Sequence, residues 1–315
     1  MAPQPALNIF SPVTGDQEHG SFRPARPSGI MCAGVAWRHS PISLAGRKRM
    51  KHLHRLHRLH LTAPRALAAL AVWLLLTLGG PWLQSGMGQQ SLAAAAGGGI
   101  GVGWLLAAVF AAIVALTSRD RRAAGLFAPA PMRSARLVWL PLLYALLMLL
   151  VAWADGWPAR GVLLVVACNT ALVALSEELM FRAVLLQGFL DRFAIWPALF
   201  LSSAVFGAVH AVNGFASGDA DAALVQSVSA FLQGLAYTAI RLRTRSIWPM
   251  VLVHGLWDFS LMSSMLSATS GGENSVLPYA ALFAVLPMCL YGLYLMRAVR
   301  GHAMPGMAAP LSAPA

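Results

Sequence analysis

From residue 66 to residue 297 the chain repeats one pattern: a long apolar run, then a short polar stretch. The runs fall at roughly 66–86, 92–117, 137–154, 161–190, 194–212, 222–242, 246–266 and 276–297. A helix needs roughly 20 apolar residues to cross the hydrocarbon core of a bilayer, so each run predicts one span. The expected fold is all-α: a polytopic membrane protein with about eight transmembrane helices in one domain over 66–300. Residues 97–103 of the second run hold Gly97, Gly98, Gly99, Gly101 and Gly103. They suit either a close helix-packing face or lipid-tolerant filler.

The flanks differ. Residues 1–49 mix Pro, Gly, Ser and Arg with no sustained period, the composition of a disordered basic segment. Met50 stands just before a basic stretch and an apolar run, so 1–49 also reads as an over-long gene start. From Met50 the pattern is that of a signal peptide's first two regions. No small-residue cleavage site follows closely, and an uncleaved first span is expected. Residues 50–65 form a basic juxtamembrane segment, and 301–315 a flexible tail. "KHLHRLHRLH" (51–60) offers His52, His54, His57 and His60. Three-residue spacing drifts around a helix and holds no single face, so this tract reads as a basic flank and not a metal site.

Composition agrees with the pattern: 58% of residues are hydrophobic and 11% charged, against about a quarter charged in soluble domains. The net charge of +12 would suggest nucleic acid. However, ten of the 23 Lys and Arg precede residue 66, and most others sit in short loops. One set of loops carries Arg119, Arg121, Arg122, Arg133, Arg136, Arg192, Arg241, Arg243 and Arg245, and Arg297 and Arg300 join them. The opposite set carries Arg160 with Asp155, Asp219, Asp221 and Glu273. This asymmetry sets topology, predicts both termini in the cytoplasm, and excludes a nucleic-acid groove. The expected location is a bacterial inner membrane. Cys32, Cys168 and Cys289 form no disulfide or zinc pattern; Cys168 and Cys289 read as small buried residues.

Few ionisable groups remain inside the spans: Glu177, Glu178, Arg182, His210, His254 and Asp258. One charge at the centre of a span costs about 2.5–3.5 kcal/mol on insertion scales. Six such groups are intelligible if they share one polar chamber. Glu178 and Arg182 are four apart and can pair on one helix face, as can His254 and Asp258. Phe206 and His210 repeat that spacing, with Phe206 read as packing that shapes the pocket. Glu177 has no cation four residues ahead and lies roughly 100° around the helix from Glu178. Glu178 therefore reads as the structural partner of Arg182, and Glu177 as the acid free to hold a water.

A buried glutamate is a competent general base for water, and a histidine can donate to a developing oxyanion. His254 with Asp258 resembles an imidazole whose tautomer a carboxylate sets. The set could hydrolyse an amide. Glu177, His210, His254 and Asp258 also offer the N and O donors that suit Zn²⁺ or another divalent metal. HExxH and Gly-x-Ser-x-Gly are both absent. Straight helices measured from their cytoplasmic ends place Glu177 about 20 Å deep, His210 about 24 Å and His254 about 12 Å. A shared site then requires tilt or a shifted frame, such as a later start for the fifth helix at Pro197.

"EELMFR" (177–182), "FGAVH" (206–210) and "HGLWD" (254–258) resemble, in order, the motifs EExxxR, FxxxH and HxxxN/D. These mark the CPBP family of CAAX prenyl endopeptidases and bacteriocin-processing intramembrane proteases, formerly Abi. "GLAYTAIRLRTRSIWPMVLVHGLWD" (234–258) is similar to the family's lead into the third motif. The resemblance covers roughly 161–266. It implies eight helices with a site among the fourth, fifth and seventh. It also implies Glu177 as water-activating base and His210 and His254 as oxyanion donors or ligands. Glu178 and Arg182 would support them. Asp258 stands where many members have Asn. The expected activity is an intramembrane endopeptidase acting near the membrane surface. The expected partners are lipid and a peptide or protein with a hydrophobic or lipidated segment. The rival expectations are a proton-coupled transporter and a non-proteolytic immunity or scaffold protein.

Overall fold

In a computed structural model, residues 59–85, 91–267 and 277–299 are described, the side chains of 81–85, 216 and 277–281 excepted. Residues 1–49, the histidines before His60 and the tail 301–315 lie outside the described residues. The described chain is helical: α1 (Ala63–Ser85), α2 (Leu92–Gly97), α3 (Val102–Thr117), α4 (Trp139–Ala154), α5 (Arg160–Glu177), α6 (Leu186–Leu190), α7 (Ile195–Ala211), α8 (Asn213–Ser217), α9 (Ala220–Thr244), α10 (Trp248–Met265) and α11 (Leu277–Met296). A 3-10 segment, Met132–Val138, leads into α4, and a π-helical segment, Glu178–Leu185, joins α5 to α6.

Every predicted span has a helical counterpart, and the protein is an integral, multi-pass membrane protein. Among the described residues, six helical stretches are long and apolar enough to cross a membrane: Ala63–Gly80, Met132–Ala154, Arg160–Leu190, Ile195–Phe215, Ala220–Thr244 and Leu282–Val299. Val102–Thr117 is apolar but shorter. Trp248–Met265 is less apolar than these, because His254, Asp258 and three serines interrupt it.

The second predicted span is not one helix. It breaks between α2 and α3, where Gly98, Gly99 and Gly101 have low helix propensity and Gly99 sits at φ +154. Asn169 of α5 closes the break. Its side-chain amide donates to the carbonyls of Ala96 (2.8 Å) and Gly99 (2.7 Å), and its oxygen accepts from Gly101 N–H (3.0 Å). Backbone freed at membrane depth needs such partners. Gly103 is a packing glycine. A Cβ on Gly80 would collide with the Gly103 backbone, so α1 and α3 touch main chain to main chain.

Two further expectations are corrected. Arg241 is buried and not a solvated loop charge. Its guanidinium donates to the Ala123 carbonyl. It also packs on Gly125, whose φ of +78 and lack of Cβ admit it. Cys168 is exposed on the outside of the bundle, whereas Cys289 is buried. A small apolar side chain in a bilayer gains little from facing protein instead of lipid. α9 packs between α7 and α11, and α10 packs against α4 and α5. These contacts bring α5, α7, α9 and α10 around one cavity.

Candidate functional site

The cavity has a volume of about 270 Å³. Glu177, Phe206, His210, His254 and Asp258 all line it, so the chamber gathers residues from three separate helices. The depth reckoning from straight helices was therefore wrong. α7 starts at Ile195, with Pro197 in its first turn, where a missing N–H goes unused. No later start brings His210 shallower. Counted from their own helix starts, His210 and His254 still differ by more than 12 Å, yet both meet Glu177. The starts of α7 and α10 therefore cannot share one level.

Glu178 sits at the centre of the buried network. Its Oε1 lies 3.1 Å from Arg182 Nη1, the expected pair. The same oxygen accepts from His254 Nδ1–H at 2.9 Å, a contact the spacing did not suggest. The Arg182 guanidinium lies 4.1 Å over the Phe206 ring and 5.6 Å from the Tyr237 ring. Those π faces stand in for hydrogen bonds that its buried nitrogens do not make. Phe206 thus forms part of the cation's cage as well as the cavity wall.

Glu178 orients the His254 ring at Nδ1, and the expected partner Asp258 faces the other nitrogen. Nε2 faces two carboxylates, Asp258 Oδ2 at 3.4 Å and Glu177 Oε2 at 3.6 Å. A carboxylate only accepts, so this arrangement suits an Nε2–H. His210 is oriented differently. Its Nδ1–H donates to the Phe206 carbonyl at 2.7 Å, and a neutral ring then presents a bare Nε2 lone pair. That nitrogen lies 3.9 Å from Glu177 Oε2. Glu177 Oε2 is buried and makes no hydrogen bond among the described residues. The two acids of the motif therefore differ: Glu178 holds Arg182 and His254 through Oε1, its Oε2 making no hydrogen bond among the described residues, whereas Glu177 lines the cavity.

The π-helical turn separates these two acids. Glu177 closes the α-helical hydrogen-bond pattern and Glu178 opens the wider one. Such turns recur at functional sites because they re-aim side chains. Trp73 of α1 braces the turn before it, donating from Nε1 to Ser176 Oγ (2.7 Å). Tyr237 stands 5.6 Å from the His254 ring and accepts from Gln233 Nε2 (2.8 Å). Sequence reading missed Trp73, Gln233 and Tyr237. Only the location of Tyr237 within the stretch leading to the third motif hinted at it.

Four donors, Glu177, His210, His254 and Asp258, are of the right chemical type for a divalent cation. Among the described residues, however, no group of three or more His, Cys, Asp or Glu is arranged to hold one.

Residues 159–260 match the family model described as type II CAAX prenyl endopeptidase Rce1-like. The match spans roughly a third of the chain and contains all three motifs and all six ionisable site residues. No curated protein and no solved structure matches the chain. The match supports an intramembrane protease at the family level.

Proposed function

We propose that the chain is an endopeptidase that hydrolyses a peptide bond by side-chain-activated water, close to the membrane surface. One observation carries this reading. The buried, unbonded Glu177 Oε2 lies 3.6 Å from His254 Nε2 and 3.9 Å from His210 Nε2. Groups held just beyond direct hydrogen-bond distance are those that share a water.

Each side chain then has one task. Glu177 takes a proton from the water, whose oxygen bonds to the scissile carbonyl carbon. His210 Nε2 accepts the water's other proton in a hydrogen bond and aims its lone pair. His254 Nε2–H donates to the oxyanion that develops, and Glu178 and Asp258 hold that ring in place. The C–N bond breaks as Glu177 returns its proton to the leaving nitrogen. Arg182 balances Glu178 and touches no reacting atom. His210 is therefore assigned as an acceptor rather than an oxyanion donor.

The substrate proposed is a peptide or protein with a hydrophobic or lipid-bearing segment, reached from a multi-pass position with both termini cytoplasmic. The test is proteomic comparison of membranes from wild-type and Glu177→Gln cells. The expected result is accumulation of uncleaved membrane substrates at normal expression of the variant. Loss of at least about a hundredfold in turnover is expected for a missing general base. Immunity that survives the substitution without any cleavage would place the chain among binding proteins instead. Uptake without cleavage in liposomes would place it among carriers.

A further inference from the structure

Peptide cleavage in a membrane carries a cost that the catalytic groups do not meet. A segment must be extended to be attacked, and its N–H and C=O groups then lose their helical partners where no water replaces them. One face of α9 meets this need. Gln226, Ser229 and Gln233 line the cavity at spacings of three and four residues, so they stand one above another. We propose that this stripe is the substrate's main-chain-binding edge, taking an extended, uncharged peptide segment of about three residues beside the scissile bond. The proposal rests on the protease reading above.

Ser229 is the first observation. Its Oγ is buried and makes no hydrogen bond among the described residues. Several hydroxyls elsewhere in the bundle bond back to the carbonyl four residues earlier, as Thr170 does to Val166, Ser203 to Leu199 and Ser260 to Leu256; Ser118, Thr238 and Ser263 are unbonded like Ser229 but do not line the cavity. Ser229 keeps its donor available in the cavity wall. The amides flanking it are half-used. Gln233 spends its nitrogen on Tyr237, leaving its carbonyl oxygen as an acceptor. Gln226 spends its oxygen on the Asn213 amide (2.9 Å), leaving its N–H₂ as a donor.

The spacing suits an extended chain. Ser229 and Gln233 are four residues apart, about 6 Å along the helix axis. Groups on one edge of an extended strand recur every second residue, at about 6.6–6.8 Å. A substrate N–H can therefore meet the Gln233 oxygen while a carbonyl two residues along meets the Ser229 hydroxyl. The Gln233 end adjoins the reacting centre, since Tyr237, one turn further, stands 5.6 Å from the His254 ring. Trp73, Leu74, Val209 and Val225 supply apolar walls for side chains. Among the described lining residues there is no Lys or Arg, so a substrate carboxylate finds no counter-ion there.

Binding is measured with the full chain carrying Glu177→Gln in lipid nanodiscs. The probe is a fluorescent farnesylated CAAX peptide with an amidated C-terminus, with empty nanodiscs subtracted. A second set of probes replaces single backbone amides by esters. Ser229→Ala loses no bond in the free protein, so its thermal midpoint should hold while affinity falls about three- to tenfold. Gln233→Leu should weaken binding to a similar degree. One ester should weaken binding to the Ser229-containing protein and add no further loss in Ser229→Ala. Parent-like affinity in Ser229→Ala, or no saturable binding at all, overturns the proposal. Stripe-dependent binding without cleavage by the wild-type protein overturns the protease reading and leaves the stripe standing.

Discussion

Glu178 Oε1 serves both Arg182 and His254, and this double use sets the energetics of the buried network. Removing one partner of a buried pair leaves the other charge uncompensated, which costs about 3–5 kcal/mol. Arg182→Met should therefore lower stability by that order in a denaturation series, whereas Glu178→Gln with Arg182→Met should cost less than the sum of the singles. Additive losses would show that the two side chains do not act as a unit. Phe206→Leu should also lower stability, since the ring 4.1 Å under the guanidinium is its main remaining contact. The pairing of Glu178 with Arg182 was legible from spacing, since only Glu178 has an arginine four residues on. The role of His254 was not. Its Nδ1 partner lies 76 positions away in sequence, and no local rule reaches that far.

At the scale of the element, the least foreseeable feature is the π-helical segment Glu178–Leu185. Its residues are ordinary helix formers, and nothing in "ELMFRAVL" announces a wider turn. It persists because every residue in it is buried and held by neighbours. Deleting Ala183 should let the segment revert to α-helix and re-aim the side chains on one side of it. Cleavage should vanish while the protein still inserts, read by activity beside membrane-fraction yield. The α2–α3 break is a milder case. Its glycines were visible, but they fitted a packing face as well as a break. Asn169 decides the matter by holding three backbone groups. Asn169→Leu removes those bonds, each worth about 0.5–1.5 kcal/mol net, and should lower the thermal midpoint and expose 98–101 to proteolysis.

At the scale of the whole molecule, charge bias predicts both termini on the cytoplasmic side. Reporter fusions after residues 120, 192 and 245 should be active only in the cytoplasm, and a fusion after Arg160 only outside. One argument behind this expectation changes with the structure. Arg241 is buried against the Ala123 carbonyl and Gly125, so Arg243 and Arg245 carry the bias of that loop. Metal content belongs to this scale too, since the four donors come from three helices. Purified protein is expected to retain full turnover after exhaustive chelation. Stoichiometric zinc that is lost in His210→Ala would instead assign the donors as ligands.

The sequence alone determined the class of protein, the helical runs and the identity of the buried polar groups. Those follow from transfer costs, which depend on residue type and run length and need no knowledge of neighbours. It also determined that Glu177 and Glu178 differ. The tertiary structure decided which acid holds which histidine and which ring nitrogen faces the cavity. It also decided that α7 and α10 are offset enough for His210 and His254 to reach Glu177 together. Depth along a helix can be counted from sequence, but the relative height of two helices is set by side chains packing across them.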